Sequence, residues 1–178
     1  MNSELIILQT KRLRRRRIQN ADLEALIELW SDPQVTKHMG GPRDRAKLEK
    51  IFEEEVKNPF AEQYDLWPVE EKHSKEVIGD CGLLTKEVDG REEIELIYIL
   101  KAPAWGKGYA TEIGQALVKY AFKEMKLGRV ISLIEPENKA SERVALKIGM
   151  KFEKEVIRPG GAKRKVYVIE SENRRTAT

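Results

Sequence analysis

The chain has 178 residues, 40% hydrophobic and 35% charged, a length that suits one domain and an apolar content too high for a disordered chain. Its 33 basic residues face 30 acidic ones, for a net charge of +3, so the excess that marks a polyanion-coating protein is missing. A lone cysteine, Cys81, and two histidines exclude an internal disulfide and a Cys/His zinc cage. No apolar run approaches the ~20 residues a bilayer demands, and Met1 to Ile7 lacks the order of a signal peptide. The expectation is a soluble, cytoplasmic protein that uses no metal.

No repeat, low-complexity tract or linker divides the sequence, so residues 1–178 are expected to form a single domain. Leu5 to Ile18 reads as strand-forming, and its far end carries Lys11, Arg12, Arg14, Arg15, Arg16 and Arg17, interrupted only by Leu13. Asn20 is placed as an N-cap, and Leu23, Leu26, Ile27 and Trp30 recur at helical spacing until Asp32-Pro33 stops the pattern. Asp44 to Val56 predicts a second, more exposed helix with Leu48, Ile51, Phe52 and Glu55 on successive turns, closed by Asn58-Pro59.

The period then changes. Leu66 to Val69, Val77 to Leu84 and Glu93 to Leu100 are short β-branched-rich runs separated by polar turns, the pattern of an antiparallel meander. Ala110, Ile113, Leu117, Val118, Ala121, Phe122 and Met125 mark the strongest amphipathic helix, with Gly128 as its stop. Val130 to Ile134 predicts a strand, Ser141 to Ile148 a helix stopped at Gly149, and Lys151 to Ile157 and Lys165 to Ile169 two last strands. The fold class is mixed α/β, with a strand-helix-strand crossover from Ile94 to Ile134.

The informative stretch runs from Glu95 through Ala102-Pro103-Ala104 and Trp105-Gly-Lys-Gly108 to Glu112, a strand passing directly into the strong helix. Gly106 and Gly108 let the backbone curl so that several N–H groups converge at a helix N-terminus, which makes a phosphate cradle. The same two glycines also suit a plain tight turn. No G-x-x-x-x-G-K-[ST] occurs, and Thr111 stands where the dinucleotide fingerprint has its third glycine, so neither an NTPase nor a dehydrogenase is favoured.

These residues resemble the GCN5-related N-acetyltransferase (GNAT) superfamily, whose phosphate loop reads Q/R-x-x-G-x-G/A and here aligns as Trp105-Gly106-Lys107-Gly108-Tyr109-Ala110. Trp105 followed by Gly-Lys-Gly-Tyr-Ala-Thr111-Glu is similar to the RimJ/RimL branch, which acetylates N-termini of ribosomal proteins, and its small-molecule relatives. Thr10-Lys-Arg-Leu13 with Arg16, Trp30-Ser-Asp-Pro33 with Val35, and Asn138-Lys-Ala-Ser141 with Arg143, Val144, Lys147 and Gly149 extend the resemblance over nearly the whole chain.

The resemblance implies a twisted, mostly antiparallel sheet flanked by helices, and acetyl transfer from acetyl-CoA to an amine in a ternary complex. It places the strand through Ile97, Tyr98 and Ile99 along the thioester, the loop Trp105 to Thr111 on the pyrophosphate, and Asn138 and Ser141 beside the pantetheine and thiol. Glu95, an acid in an apolar strand, is the candidate base, directly or through water; alternatively it is a solvated residue on an alternating strand. Many relatives protonate the leaving thiolate with a tyrosine where this chain has Ala145, so Ser141 is the candidate there, unless its hydroxyl merely bonds its own helix. Asn138 is equally suited to capping a helix.

Arg15, His38 and Trp67 are the candidates for the acceptor site. The expected partners are acetyl-CoA and an amine, a ribosomal protein N-terminus among them, with the protein acting as a monomer or homodimer. Cys81 reads as a core residue, and the histidines form no triad pattern. Two rival classes stay open at this point. The basic run could serve a nucleic-acid-binding module, and the missing tyrosine could mark a non-catalytic acyl-CoA sensor.

Overall fold

The computed structural model describes residues 6–59, 61 and 64–172; Leu5, which begins the first strand-forming segment, lies outside them. That segment forms two strands. Ile6–Gln9 (β1) turns at Thr10, whose N–H donates to Leu13 O at 2.9 Å, into Leu13–Arg16 (β2). Asn20 is not the cap of the following helix. It sits inside a 3-10 turn, Asn20–Asp22, braced by Gln19 N–H donating to Asp22 Oδ2 at 2.8 Å, and Leu23–Ser31 (α1) continues from there.

Asp32-Pro33 ends α1 and also starts a short second helix, Pro33–Thr36 (α2). Asp32 Oδ1 caps it by accepting from Gln34 N–H at 2.7 Å, while proline at N1 needs no partner. Arg45–Lys57 (α3) is capped in the same way by Asp44, which accepts from Lys47 N–H at 2.9 Å. The meander follows as Leu66–Glu71 (β3), Val77–Val88 (β4) and Arg91–Leu100 (β5).

Tyr109–Lys123 (α4) leads to Arg129–Ile134 (β6), Lys139–Lys147 (α5), Lys151–Ile157 (β7) and Lys163–Glu170 (β8). The left-handed residue after α4 is Lys126, φ 58°, and not Gly128, which lies just before β6. Gly149, φ 96°, does close α5, with its N–H on Leu146 O and that of Met150 on Ala145 O.

The eight strands order as β1-β2-β3-β4-β5-β6-β8-β7, antiparallel at every step except β5 to β6, which the α4 crossover makes parallel. One face packs Leu83, Leu96, Val130 and Met150 against Ile113, Leu117 and Ala145 of α4 and α5. The other packs Val77 and Ile99 against Leu26, Ile27, Leu29, Leu48 and Phe52 of α1 and α3.

Arg14, Arg15 and Arg16, the middle of the basic run, are consumed by this frame, which counts against the nucleic-acid reading. Arg16 donates to both carboxylate oxygens of Asp22 at 2.6 and 2.8 Å and to Glu70 at 3.2 Å, and Arg14 pairs with Glu70 at 2.9 Å. Arg15 is 2% exposed. Burial on these partners withdraws Arg14, Arg15 and Arg16 from an external polyanion.

Candidate active site

The site begins where the sheet fails to pair. Strands β4 and β5 stay in register from Gly79 opposite Leu100 to Val88 opposite Arg91, and Lys101 N–H donates to Ile78 O at 2.8 Å. Because main-chain groups in such a ladder alternate sides, those of Ile99, Ile97 and Glu95 turn to β4, and those of Leu96, Tyr98 and Leu100 turn to β6. On the β6 side the parallel pairing stops at Glu95 opposite Ile131. Side chains take over beyond it: Ser132 Oγ donates to Leu96 O at 2.9 Å and Trp105 Nε1 to Leu100 O at 2.7 Å. Of the three residues Ile97, Tyr98 and Ile99, it is therefore Tyr98 whose N–H faces the opening between β5 and β6, a distinction that rests on ladder phase and is invisible in residue types.

Glu95 sits at the apex of this opening, 7% exposed, and one carboxylate oxygen accepts the N–H of Leu133 at 3.1 Å. Burial raises its pKa above the ordinary carboxylate value, opposed by that hydrogen bond and by the charges of Lys86, Arg158 and Arg164. A buried carboxyl held between two separating strands, with a raised proton affinity, has the properties of a general base.

At the other end β5 runs through a 3-10 turn, Ala102–Ala104, into the glycine loop. Gly106 and Gly108 adopt φ 72° and 80°, the left-handed region, and Gly108 is the N-cap of α4 with no side chain capping the helix. The N–H groups of Tyr109, Ala110 and Thr111 thus open the helix without a side-chain partner, and a Cβ at Gly108 would lie 3.5 Å from the Arg12 guanidinium. Curled backbone, an uncapped 15-residue helix and a nearby cation fit a pyrophosphate. Lys107 and Trp105 are exposed on the loop.

The Thr10–Leu13 segment, part of the family pattern, reaches the loop through Arg12 and Glu112, a contact that residue types in the loop do not announce. Arg12 Nη1 donates to Lys107 O at 2.9 Å, its Nε to Glu112 Oε2 at 2.7 Å, and its guanidinium lies 4.4 Å from the Tyr109 ring centroid. Thr10 and the Arg12 N–H both donate to Glu112 Oε1, so the β1–β2 turn clamps the first turn of α4.

Opposite the loop, Asn138 caps α5 by accepting Ser141 N–H at 3.1 Å, and Ser141 O accepts the Tyr98 hydroxyl at 3.1 Å. Burial pushes the Tyr98 phenol above its ordinary value and keeps it protonated. Ala145 is fully buried in the core, so the helix offers no hydroxyl at that position. Cys81 is buried too, and its thiol is pushed up by burial, which removes it as a nucleophile.

Of the acceptor candidates, Arg15 and Trp67 pack on each other, while His38 meets the segment that follows β6. Arg15 Nε donates to Cys81 O at 2.7 Å and Nη2 to Asp65 O at 2.9 Å, with its guanidinium 4.2 Å from the Trp67 ring. Burial lowers Arg15 to about 10, and Arg17 stacks on the same indole at 3.7 Å. Arg15 and Trp67 thus form an internal stack between β2 and β3. His38 Nδ1 meets Glu135 Oε2 at 2.7 Å, tying the segment after α2 to the β6–α5 loop.

The acetyltransferase (GNAT) domain family matches residues 12–151. The protein YkkB of Bacillus subtilis is 34% identical over 150 residues, 84% of this chain and 87% of that protein. A GNAT-family acetyltransferase structure from Bacillus anthracis superposes with a TM-score of 0.76 at 28% identity, covering 93% of this chain and 98% of its own. The fold is shared with spermidine N-acetyltransferase of Vibrio cholerae, solved with CoA and spermine, at a TM-score of 0.73 and 18% identity over 90% and 96% of the two chains. With the family match over most of its length, the β5–β6 opening and the uncapped glycine loop, the chain belongs to the GNAT family of acetyl-CoA-dependent acyltransferases.

Proposed function

We propose that the protein transfers an acetyl group from acetyl-CoA to a primary amine by direct attack within a ternary complex. The donor supplies an activated acyl group as a thioester; the chain supplies position, charge and a proton acceptor. The backbone N–H groups of Gly108 to Thr111 bind the pyrophosphate, and Arg12, itself anchored on Glu112, holds the loop in shape. The N–H of Tyr98, left over by the β4 ladder, is oriented to stabilise negative charge on the thioester oxygen. Glu95 takes the proton of the attacking amine, directly or through water, and its raised pKa brings its basicity closer to the working range. Asn138 and Ser141 line the thiol side, where the Ser141 hydroxyl relays a proton to the leaving group. The protein works in the cytoplasm, as a monomer or homodimer, on a small-molecule amine or, as in the RimJ/RimL branch, on a protein N-terminus.

The observation that carries this reading is the end of β5–β6 pairing at Glu95, beyond which ladder phase turns the Tyr98 N–H to the β6 side, with a glycine loop and a helix start lacking a side-chain cap further along the same chain segment. Its test is turnover of acetyl-CoA with a panel of primary amines, read as free thiol released. Release that requires an amine supports transfer; tight donor binding without release for any amine, protein N-termini included, would favour an acyl-CoA sensor.

A further inference from the structure

The glycine loop brings no fixed cation of its own. Trp105 stands where the family pattern carries Gln or Arg, and its indole N–H is engaged by Leu100 O at 2.7 Å. The Lys107 ammonium is exposed, with no partner holding it among the described residues. A pyrophosphate diester carries about two negative charges, whereas the N–H groups of a helix start amount to about half a positive one. A cradle made of these residues alone leaves the ligand short of positive charge.

A fixed cation reaches the loop from the β1–β2 turn instead. Arg12 donates from Nε to Glu112 Oε2 at 2.7 Å and from Nη1 to Lys107 O at 2.9 Å, and its guanidinium lies 4.4 Å from the Tyr109 ring centroid. These contacts fix the plane of the fork while engaging only Nε and Nη1; Nη2 makes no hydrogen bond among the described residues. That free nitrogen lies 3.5 Å from the point a Cβ at Gly108 would occupy, beside the N-cap of α4. The Arg12 side chain is 39% exposed against 19% for Glu112, so the free edge meets solvent and the anchoring carboxylate is the better covered of the two. The anchor is held from two sides. Glu112 Oε1 accepts Thr10 Oγ1 at 2.5 Å and the Arg12 N–H at 2.9 Å, while Lys72, in the β3–β4 turn, donates from Nζ to Thr10 O at 2.5 Å and from its N–H to Arg12 O at 2.8 Å. The charge of Glu112 is therefore shared among three donors, and the backbone that carries Arg12 is pinned.

We infer that Arg12 is itself a ligand of the donor's pyrophosphate, its free Nη edge supplying the charge-assisted hydrogen bond that the side chains of the loop do not. The inference rests on the acetyl-CoA reading above and goes beyond the bracing role given to Arg12 there. Because Glu112, Lys107 O and the Tyr109 ring already hold the fork, little side-chain freedom is lost when a phosphate arrives. The Thr10–Leu13 segment thereby acquires a task in donor recognition: it delivers to the glycine loop a charge from about a hundred residues away in sequence.

The test is calorimetric titration of acetyl-CoA into the full-length protein, wild type, R12Q, R12K and T10A, at about 50 and about 500 mM salt, with thermal unfolding of each unliganded protein as the check on folding. At the lower salt R12Q should bind about 10–100-fold more weakly than wild type. R12K keeps the charge without the fork and should fall between the two. T10A loosens the clamp but leaves the cation in place, so its loss should stay within a fewfold. Wild-type affinity should weaken with salt more steeply than that of R12Q, a difference that a purely structural brace does not produce. If R12Q does not fold, R12K falling below T10A carries the same comparison. Unchanged affinity in R12Q, a loss in T10A as large as in R12Q, or the same salt dependence in R12Q and wild type would overturn the assignment. A wild-type protein that binds acetyl-CoA while R12Q binds it equally well loses only this inference; a folded wild type that does not bind acetyl-CoA loses the donor reading and the inference with it.

Discussion

Replacing Glu95 by Gln separates chemistry from architecture at the centre of the site. Gln can still accept the Leu133 N–H that Glu95 Oε1 takes at 3.1 Å, so the brace across the separating strands survives while the proton-accepting oxygen is lost. A positioned base contributes ~10²–10⁴-fold, and the turnover number of E95Q should fall by that amount with acetyl-CoA affinity unchanged. Stability should move the other way. The folded-state pKa of Glu95 is raised mainly by burial, so the folded protein holds this proton more tightly than the unfolded chain. Stability therefore falls as pH climbs from the unfolded carboxylate value through the raised folded one, and E95Q should flatten that decline. The assays are steady-state kinetics from pH 5 to 9 and denaturant unfolding over the same range. The acid limb of the wild-type rate profile should vanish in the variant; an unaltered rate and profile would show that Glu95 is only a brace. Glu95→Ala is the complementary perturbation: it orphans the Leu133 N–H, costs about 1–3 kcal/mol, and disturbs the opening itself.

Gly108→Val forces a β-branched residue into φ 80° at the N-cap of α4, a local strain of about 1–2 kcal/mol, and should abolish coenzyme A binding while circular dichroism shows the fold retained; retained affinity would remove the cradle. Tyr98→Phe deletes the bond to Ser141 O but keeps the backbone N–H, so about 1 kcal/mol of stability should be lost with the acyl-transfer rate within a fewfold of wild type. A loss beyond about a hundredfold would show that the hydroxyl itself takes part. Arg16→Ala leaves Asp22 and Glu70 buried without their shared cation, and the expected cost of about 3–5 kcal/mol would appear as a midpoint drop of ~6–20 °C; a drop under ~3 °C would contradict the view that the middle of the arginine run is internal.

Much of this was legible because it is local. Glycines at 106 and 108 before an amphipathic run announce a curled loop at a helix start, and the Leu23 to Trp30 and Ala110 to Met125 stripes fall on the faces that bury them. Pairing was not local. The docking of the β1–β2 turn on α4 depends on Thr10 reaching Glu112, 102 residues away, and the fate of Arg14 and Arg16 depends on Glu70 arriving from β3. Asn20 looked like a cap by type, yet Gln19 and Asp22 close the turn around it. Which N–H faces the opening at Tyr98 follows from ladder phase, which no side chain encodes.

The most direct test of the central claim is titration of purified protein with acetyl-CoA, by calorimetry and by thermal unfolding. A one-to-one complex is predicted, and ligand at about 100 times its dissociation constant should add ~2.7 kcal/mol of stability, a midpoint rise of about 5–10 °C. A folded protein that gives neither heat nor a shift would contradict the donor site built on Gly108, Tyr98 and Asn138.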